Sequence, residues 1–236
     1  MKTIYHPSDS RGFADHGWLK ATHSFSFANY YDNSKIHFGK LRVLNDDIVA
    51  PSMGFDTHPH QDMEIITIPL SGSLKHGDNM GHTEVLKTGE VQVMSAGTGI
   101  LHSEHNASNQ EILNLFQIWI FTDKKGHTPR YEQKFFAPEE RNQNWQLLVS
   151  PDSQKGSLMI HQQAFISRIV HPEGSTYYSL KKPDNGIYFM LIDGEAQIAG
   201  QKLLKRDALG VWDIDGPVKI TFSGQSELLA IEVPMN

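Results

Sequence analysis

An all-β protein built as two strand-rich units is what this 236-residue sequence predicts, from three observations. Short apolar runs recur along the whole chain, and glycine-containing turn dipeptides separate them. No long stretch keeps the period of about 3.6 residues that marks an amphipathic helix. Regularly spaced strands with Gly-marked turns fit a β-sandwich or barrel. The polar, charged segment "TPRYEQKFFAPEERNQN", Thr128 to Asn144, separates two halves of similar length and texture. A boundary there gives units 1–135 and 136–236.

The elements read as follows in chain order. "EIITIPLSG" (Glu64–Gly72) and "GEVQVMSAG" (Gly89–Gly97) are strands closed by glycine. In the second, Val91 and Val93 alternate with Gln92 and Met94, the period of a half-buried strand. "LNLFQIWIF" (Leu113–Phe121) is apolar on both faces, so both sides should be covered. Gln117 interrupts the face shared by Leu115 and Trp119, as a hydrogen-bonded core group or as part of a pocket. "APEERNQNW" suits a single short helix. In "GIYFMLIDGEAQIAG" the pair Asp193-Gly194 signals a hairpin turn, since glycine adopts positive φ at little cost. "PVKITFSG" is a further strand, preceded by the weaker turn signal Asp215-Gly216.

Composition narrows the function classes. The chain has 27 acidic and 21 basic side chains, a formal charge of −6, and no basic stripe. Binding to a nucleic-acid backbone therefore has no electrostatic support. With no cysteine, a thiolate metal site, a catalytic thiol and a disulfide scaffold are all excluded. The opening residues lack the apolar stretch of a signal peptide. No segment reaches the roughly 18 apolar residues of a membrane span. A soluble, cytoplasmic protein without membrane or nucleic-acid partners is expected.

Histidine is the unusual feature, with 13 copies of which only His161 and His171 lie beyond residue 144. "THPHQDMEI" (Thr57–Ile65) and "TGILHSEHN" (Thr98–Asn106) each place histidines and carboxylates close together. Side chains at i and i+2 of a strand share a face, so His58 converges with His60 and His102 with Glu104, while His105 points away. Two such strands meeting across one barrel would surround a divalent ion with imidazole and carboxylate groups, donors suited to first-row metals. Gly54, Gly72, Gly89, Gly97 and Gly99 would supply the tight turns around them. Glu64 shares the parity of His60, so spacing leaves Glu64 and Glu104 both open as the carboxylate. His6, His16, His23, His37, His76, His82 and His127 read as surface or hydrogen-bonding groups.

Those phrases also carry a family resemblance. The run from Gly54 to Gly72 resembles the first cupin motif, and the run from Gly97 to Asn106 resembles the second. "RGFADHGWLKATHSFSFANYYD", "THPHQDMEI", "MSAGTGILHSEHN", "QIWI" and "TPRYEQ", in that order, look like the bacterial branch of the pirin family. The resemblance implies a bicupin. The amino-terminal barrel would hold one metal through His58, His60, His102 and Glu104, with Glu64 in a supporting role. A degenerate carboxyl-terminal barrel would hold none.

Several bacterial pirins resemble quercetin 2,3-dioxygenases, which implies a flavonol-like aromatic substrate and dioxygen. Glu104 would act as general base for the flavonol hydroxyl, and the ring would open with loss of carbon monoxide. Iron(II) is the metal the resemblance favours, with zinc, manganese, cobalt, nickel or copper compatible with the donors. The chain is expected to be a monomer. The alternative, from other pirins, is a non-enzymatic, metal-dependent regulatory protein that binds a protein partner.

Overall fold

The computed structural model describes residues 1–236 and contains four antiparallel-rich sheets. Strand β1 is Lys2–His6. Strands β2 (Gly12–Asp15), β3 (Leu19–His23), β4 (Leu41–Val49), β5 (Gly54–His60), β6 (Met63–Ser71) and β7 (Ser73–Asp78) follow. Then come β8 (Thr83–Lys87), β9 (Glu90–Ser95), β10 (Ile100–Asn106), β11 (Leu113–Phe121) and β12 (Arg130–Phe135). The second half holds β13 (Gln146–Ser150), β14 (Leu158–Met159), β15 (Phe165–His171), β16 (Gly174–Tyr178) and β17 (Asn185–Asp193). It ends with β18 (Glu195–Ile198), β19 (Gln201–Leu204), β20 (Ala208–Trp212), β21 (Val218–Phe222) and β22 (Ser226–Pro234). The expected short helix is one 3₁₀ turn, Pro138–Arg141. No helix is long and apolar enough to cross a membrane.

Each half is a barrel made of one seven-stranded and one four-stranded sheet. In the first, β12-β9-β6-β11-β4-β3-β2 faces β5-β10-β7-β8. In the second, β1-β20-β17-β22-β15-β13-β14 faces β16-β21-β18-β19. The opening strand thus pairs with β20, from Lys2↔Trp212 to His6↔Ala208, and contributes to the sheet of the other half.

The two large sheets pack against each other through one apolar core. Ile66, Ile68, Phe116, Ile118 and Ile120 from the first half meet Ile166, Tyr188, Met190, Leu229 and Ile231 from the second. β11 is therefore covered on both faces, as its composition requires. Phe116, Ile118 and Ile120 face the neighbouring barrel, while Leu115, Gln117 and Trp119 face their own interior.

The two interiors differ. The second is filled by hydrocarbon, including Tyr178, Phe189, Ile198, Leu209, Ile220 and Phe222. The first has apolar clusters around Leu74 and Leu115 and around Ile65 and Met94. It also buries Asp47, Thr67, His76, Gln92, His102, Glu104 and Gln117.

One turn differs from expectation. Asp193-Gly194 does not close a hairpin: β17 pairs with β20 and β22, whereas β18 pairs with β19 and β21. The chain changes sheets there, at Gly194 with φ 89°. The hairpin lies one strand later, β18 to β19, where Ala199 and Gly200 take φ 50° and 81° between the paired Ile198 and Gln201. Two consecutive positive φ values match the tight-turn geometry that sequence reasoning had placed at the aspartate.

Candidate metal centre

The site is built where β5 and β10 pair in the four-stranded sheet. His102 lies directly opposite His58, and the register then slips, so that Glu104 faces Phe55. Asp56 and Thr57 on β5 are accommodated opposite Ser103 alone, a bulge of the kind found beside functional sites. Close backbone approach makes glycine necessary at position 54, where a Cβ would stand 2.2 Å from the Glu104 carbonyl oxygen. Here glycine serves strand contact rather than a turn.

Three imidazoles converge. Ring centres are 4.8 Å apart for His58 and His60, 4.4 Å for His58 and His102, and 4.8 Å for His60 and His102. Nδ1 of His58 sits 2.8 Å from the Asp56 carbonyl oxygen, which accepts its proton and leaves Nε2 with a lone pair. His102 is buried with neither ring nitrogen hydrogen-bonded. Burial, then the proximity of His102 and His58, lowers His60 to about 4. Burial, then His58 and His76, lowers His102 to about 3. Near neutral pH both rings are uncharged and offer lone pairs. Two buried, unpartnered nitrogens on a neutral His102, beside two half-buried imidazoles, fit a cation.

Glu104 lies on the same face of β10 as His102. Its Oε2 accepts from Gln117 Nε2 at 2.8 Å, and its Oε1 from Thr67 Oγ1 at 3.3 Å and Gln92 Nε2 at 3.4 Å. Gln117, the polar break in β11, is thus a core group whose partner is the candidate carboxylate. His105 points outward, 3.4 Å from Asp56 Oδ1.

Glu64 is elsewhere. It is fully buried, receives Ser95 Oγ at 2.6 Å, and is influenced by the His161 amide, Arg130 and His127. These neighbours lie on the seam with the second barrel. The parity shared with His60 is lost because β5 ends at His60 and β6 begins at Met63 in the other sheet, after a corner with Asp62 at φ 49°.

His76 is the residue sequence reasoning missed. It is fully buried on β7, opposite Glu104, and its ligand atom lies within 4.8 Å of those of His102 and Glu104. The signal was available in "SLKHGD", where Leu74, His76 and Asp78 alternate on one face. The other histidines outside the two phrases include two buried ones with partners: His6 with Tyr188 at 2.8 Å and His23 with Asn45 at 2.9 Å.

Beside the cluster lies a cavity of about 380 Å³, lined by Phe13, Phe27, Tyr30 and Phe55 with His23, Asn45 and Asp47 on its polar side. Phe55 packs 6.4 Å from His58. Phe27 packs edge-on against Trp119 at 5.3 Å, and Trp119 against His60 at 4.9 Å. Burial, with Asp46 and Glu104 nearby, pushes Asp47 up to about 8, so this acid is neutral near pH 7 and can donate a hydrogen bond into the cavity.

The chain is similar to known proteins over nearly its whole length. The pirin family profile covers residues 6–120, and the profile of the quercetinase C-terminal cupin domain covers residues 147–233. A quercetin 2,3-dioxygenase of Escherichia coli K12 is 43% identical over 229 residues, 96% of each chain. A pirin-like protein of Caulobacter vibrioides is 40% identical over 228 residues, 96% of this chain and 97% of the relative. The crystal structure of the bacterial pirin YhhW from Escherichia coli in complex with nickel(II) superposes with a TM-score of 0.93 at 41% identity, covering 99% of both chains.

Proposed function

The chain belongs to the pirin family, and on that premise we propose that it is a metal-dependent dioxygenase that opens the central ring of a flavonol such as quercetin with release of carbon monoxide. The observation that carries this reading is the meeting of His58, His60 and His102 beside a hydrogen-bonded Glu104, in a chain 43% identical to a quercetin 2,3-dioxygenase. His58, His60, His102 and Glu104 would hold the metal. We propose iron(II) as its identity, although the nitrogen and oxygen donors suit other first-row ions and the YhhW complex contains nickel(II). When bound, the ion supplies Lewis-acid and redox chemistry toward the hydroxyl and dioxygen.

The protein's own groups do the rest. The aromatic walls Phe13, Phe27, Tyr30 and Phe55 suit a flat ring system and exclude water around it. Neutral Asp47 and the His23–Asn45 pair offer hydrogen bonds to substrate oxygens on the polar side. Gln117 anchors Glu104 through Oε2, which leaves the more loosely bonded Oε1 to take the flavonol hydroxyl proton as general base. The large sheet of each barrel is covered by the other within the chain, which supports action as a monomer.

The test is anaerobic addition of quercetin to iron(II)-loaded protein, followed by air. A shift of the flavonol absorption band, then bleaching with one carbon monoxide per flavonol, is expected. A bound metal with no bleaching under any first-row ion would overturn the enzymatic reading in favour of a regulatory protein that recognises a protein partner.

A further inference from the structure

A metal-binding imidazole ordinarily donates its second ring N–H to a carboxylate, carbonyl or water, which fixes its tautomer and ring plane. The Asp56 carbonyl does this for His58. For His102 both nitrogens are buried and unpartnered, so once one of them binds a cation the other needs an acceptor. Besides His58 and His60, which face the ion with it, two neighbours have ligand atoms within 4.8 Å, Glu104 and His76. Glu104 is already engaged by Gln117, Thr67 and Gln92. His76 is not engaged on that side: its ring centre is 5.5 Å from that of His102, and its Nδ1 is buried without a partner.

Asp78 determines what His76 can offer. Its Oδ2 lies 3.1 Å from His76 Nε2 and 2.8 Å from His82 Nδ1, and Oδ1 accepts the Met80 amide at 2.9 Å and the His82 amide at 3.1 Å. Both oxygens of Asp78 thus face nitrogen donors, two of them backbone amides that can only donate, which suits the carboxylate form. An ionised carboxylate only accepts. His76 must therefore carry its proton on Nε2 and keep a lone pair on Nδ1. The ring is clamped by stacking on Tyr131, 4.5 Å away at 24°, and Tyr131 stacks on His82 at 5.0 Å and 26°.

We propose that His76 and Asp78 are positioning residues for His102: Nδ1 of His76 accepts the second ring N–H of His102, and Asp78 fixes the tautomer of His76 that makes this possible. The proposal rests on the reading of His102 as a metal ligand. It gives the buried side of the centre a chain of four groups, from the partly exposed His82 through Asp78 and His76 to His102.

The experiment measures nickel(II) affinity of the full-length chain by chelator competition, and counts bound imidazoles in the copper(II)-loaded chain by electron spin echo. Asp78→Asn is isosteric, but its amide nitrogen donates where the carboxylate accepted, which turns the His76 tautomer over and aims an N–H at His102. Nickel binding should weaken by about 10- to 100-fold in Asp78→Asn and in His76→Leu. His76→Gln, whose side-chain carbonyl still accepts, should lose less. The imidazole count should be the same in all three, and ¹⁵N NMR of the unmutated metal-free protein should find the His76 proton on Nε2. Unchanged nickel affinity in Asp78→Asn, or a His76 proton on Nδ1, overturns the proposal. So does one imidazole fewer in His76→Leu, which would make His76 itself a ligand. An unmutated chain that binds no nickel overturns instead the metal reading beneath it.

Discussion

Replacing Glu64 with glutamine tests how the structure separates the two buried carboxylates of the first barrel. Burial raises the Glu64 carboxyl from 4.5 to about 7, against the opposing influence of Ser95, the His161 amide, Arg130 and His127. The folded protein thus retains a proton that the unfolded chain releases. The stabilisation is complete below the unfolded value and is lost as pH rises through the folded one. A rise from 4.5 to about 7 corresponds to about 3 kcal/mol, at about 1.4 kcal/mol per unit. Glutamine keeps the shape and a Ser95 acceptor while fixing the uncharged form. Urea unfolding of the chelator-treated proteins should show little difference at about pH 5 and a variant more stable by up to about 3 kcal/mol at about pH 8. Metal is removed because its binding depends on pH in its own right. Parallel stability profiles for the two proteins would refute the reasoning. Nickel affinity should be unchanged in the variant, and its loss would move the ligand role from Glu104 to Glu64.

Glu104→Gln should lower flavonol turnover by at least about 100-fold, the size of a general-base contribution, and weaken nickel binding in the same competition assay. His102→Leu should abolish metal binding yet raise the melting temperature of the metal-free protein, because it removes two buried nitrogens without partners, each carrying a penalty of about 1–3 kcal/mol. Phe116→Ala, in the core between the barrels, should destabilise by about 3–5 kcal/mol in a single urea transition. Separate transitions for the two halves would show that this core does not couple them.

The strands and the histidine phrases were legible because both obey the two-residue alternation of a β-strand. That rule fails wherever the chain turns a corner. His60 and Glu64 seemed to share a face only while "HQDME" was read as one strand; Asp62 breaks it and sends the two residues to different sheets. Asp193-Gly194 failed for the same reason, since a glycine that lets the chain change sheets looks like one that closes a hairpin. His76 was missed because the alternation of Leu74, His76 and Asp78 gives only a shared face, and that this face meets Glu104 emerges only when β7 is paired with β10. Gln117 was seen as an anomaly, but its partner Glu104 lies on another sheet, and sequence spacing holds no information about that meeting.

The pairing of β1 with β20 dictates an order of assembly. Lys2–His6 is synthesised about 200 residues before its hydrogen-bonding partners Ala208–Trp212 and before Asp207, which receives the Tyr5 hydroxyl and the Ser8 amide. The histidine-bearing barrel can close while this leading ribbon is still free. Joining the ribbon then waits for the second barrel, and a fluorophore placed beside Lys2 would time that pairing rather than the birth of the metal-facing half.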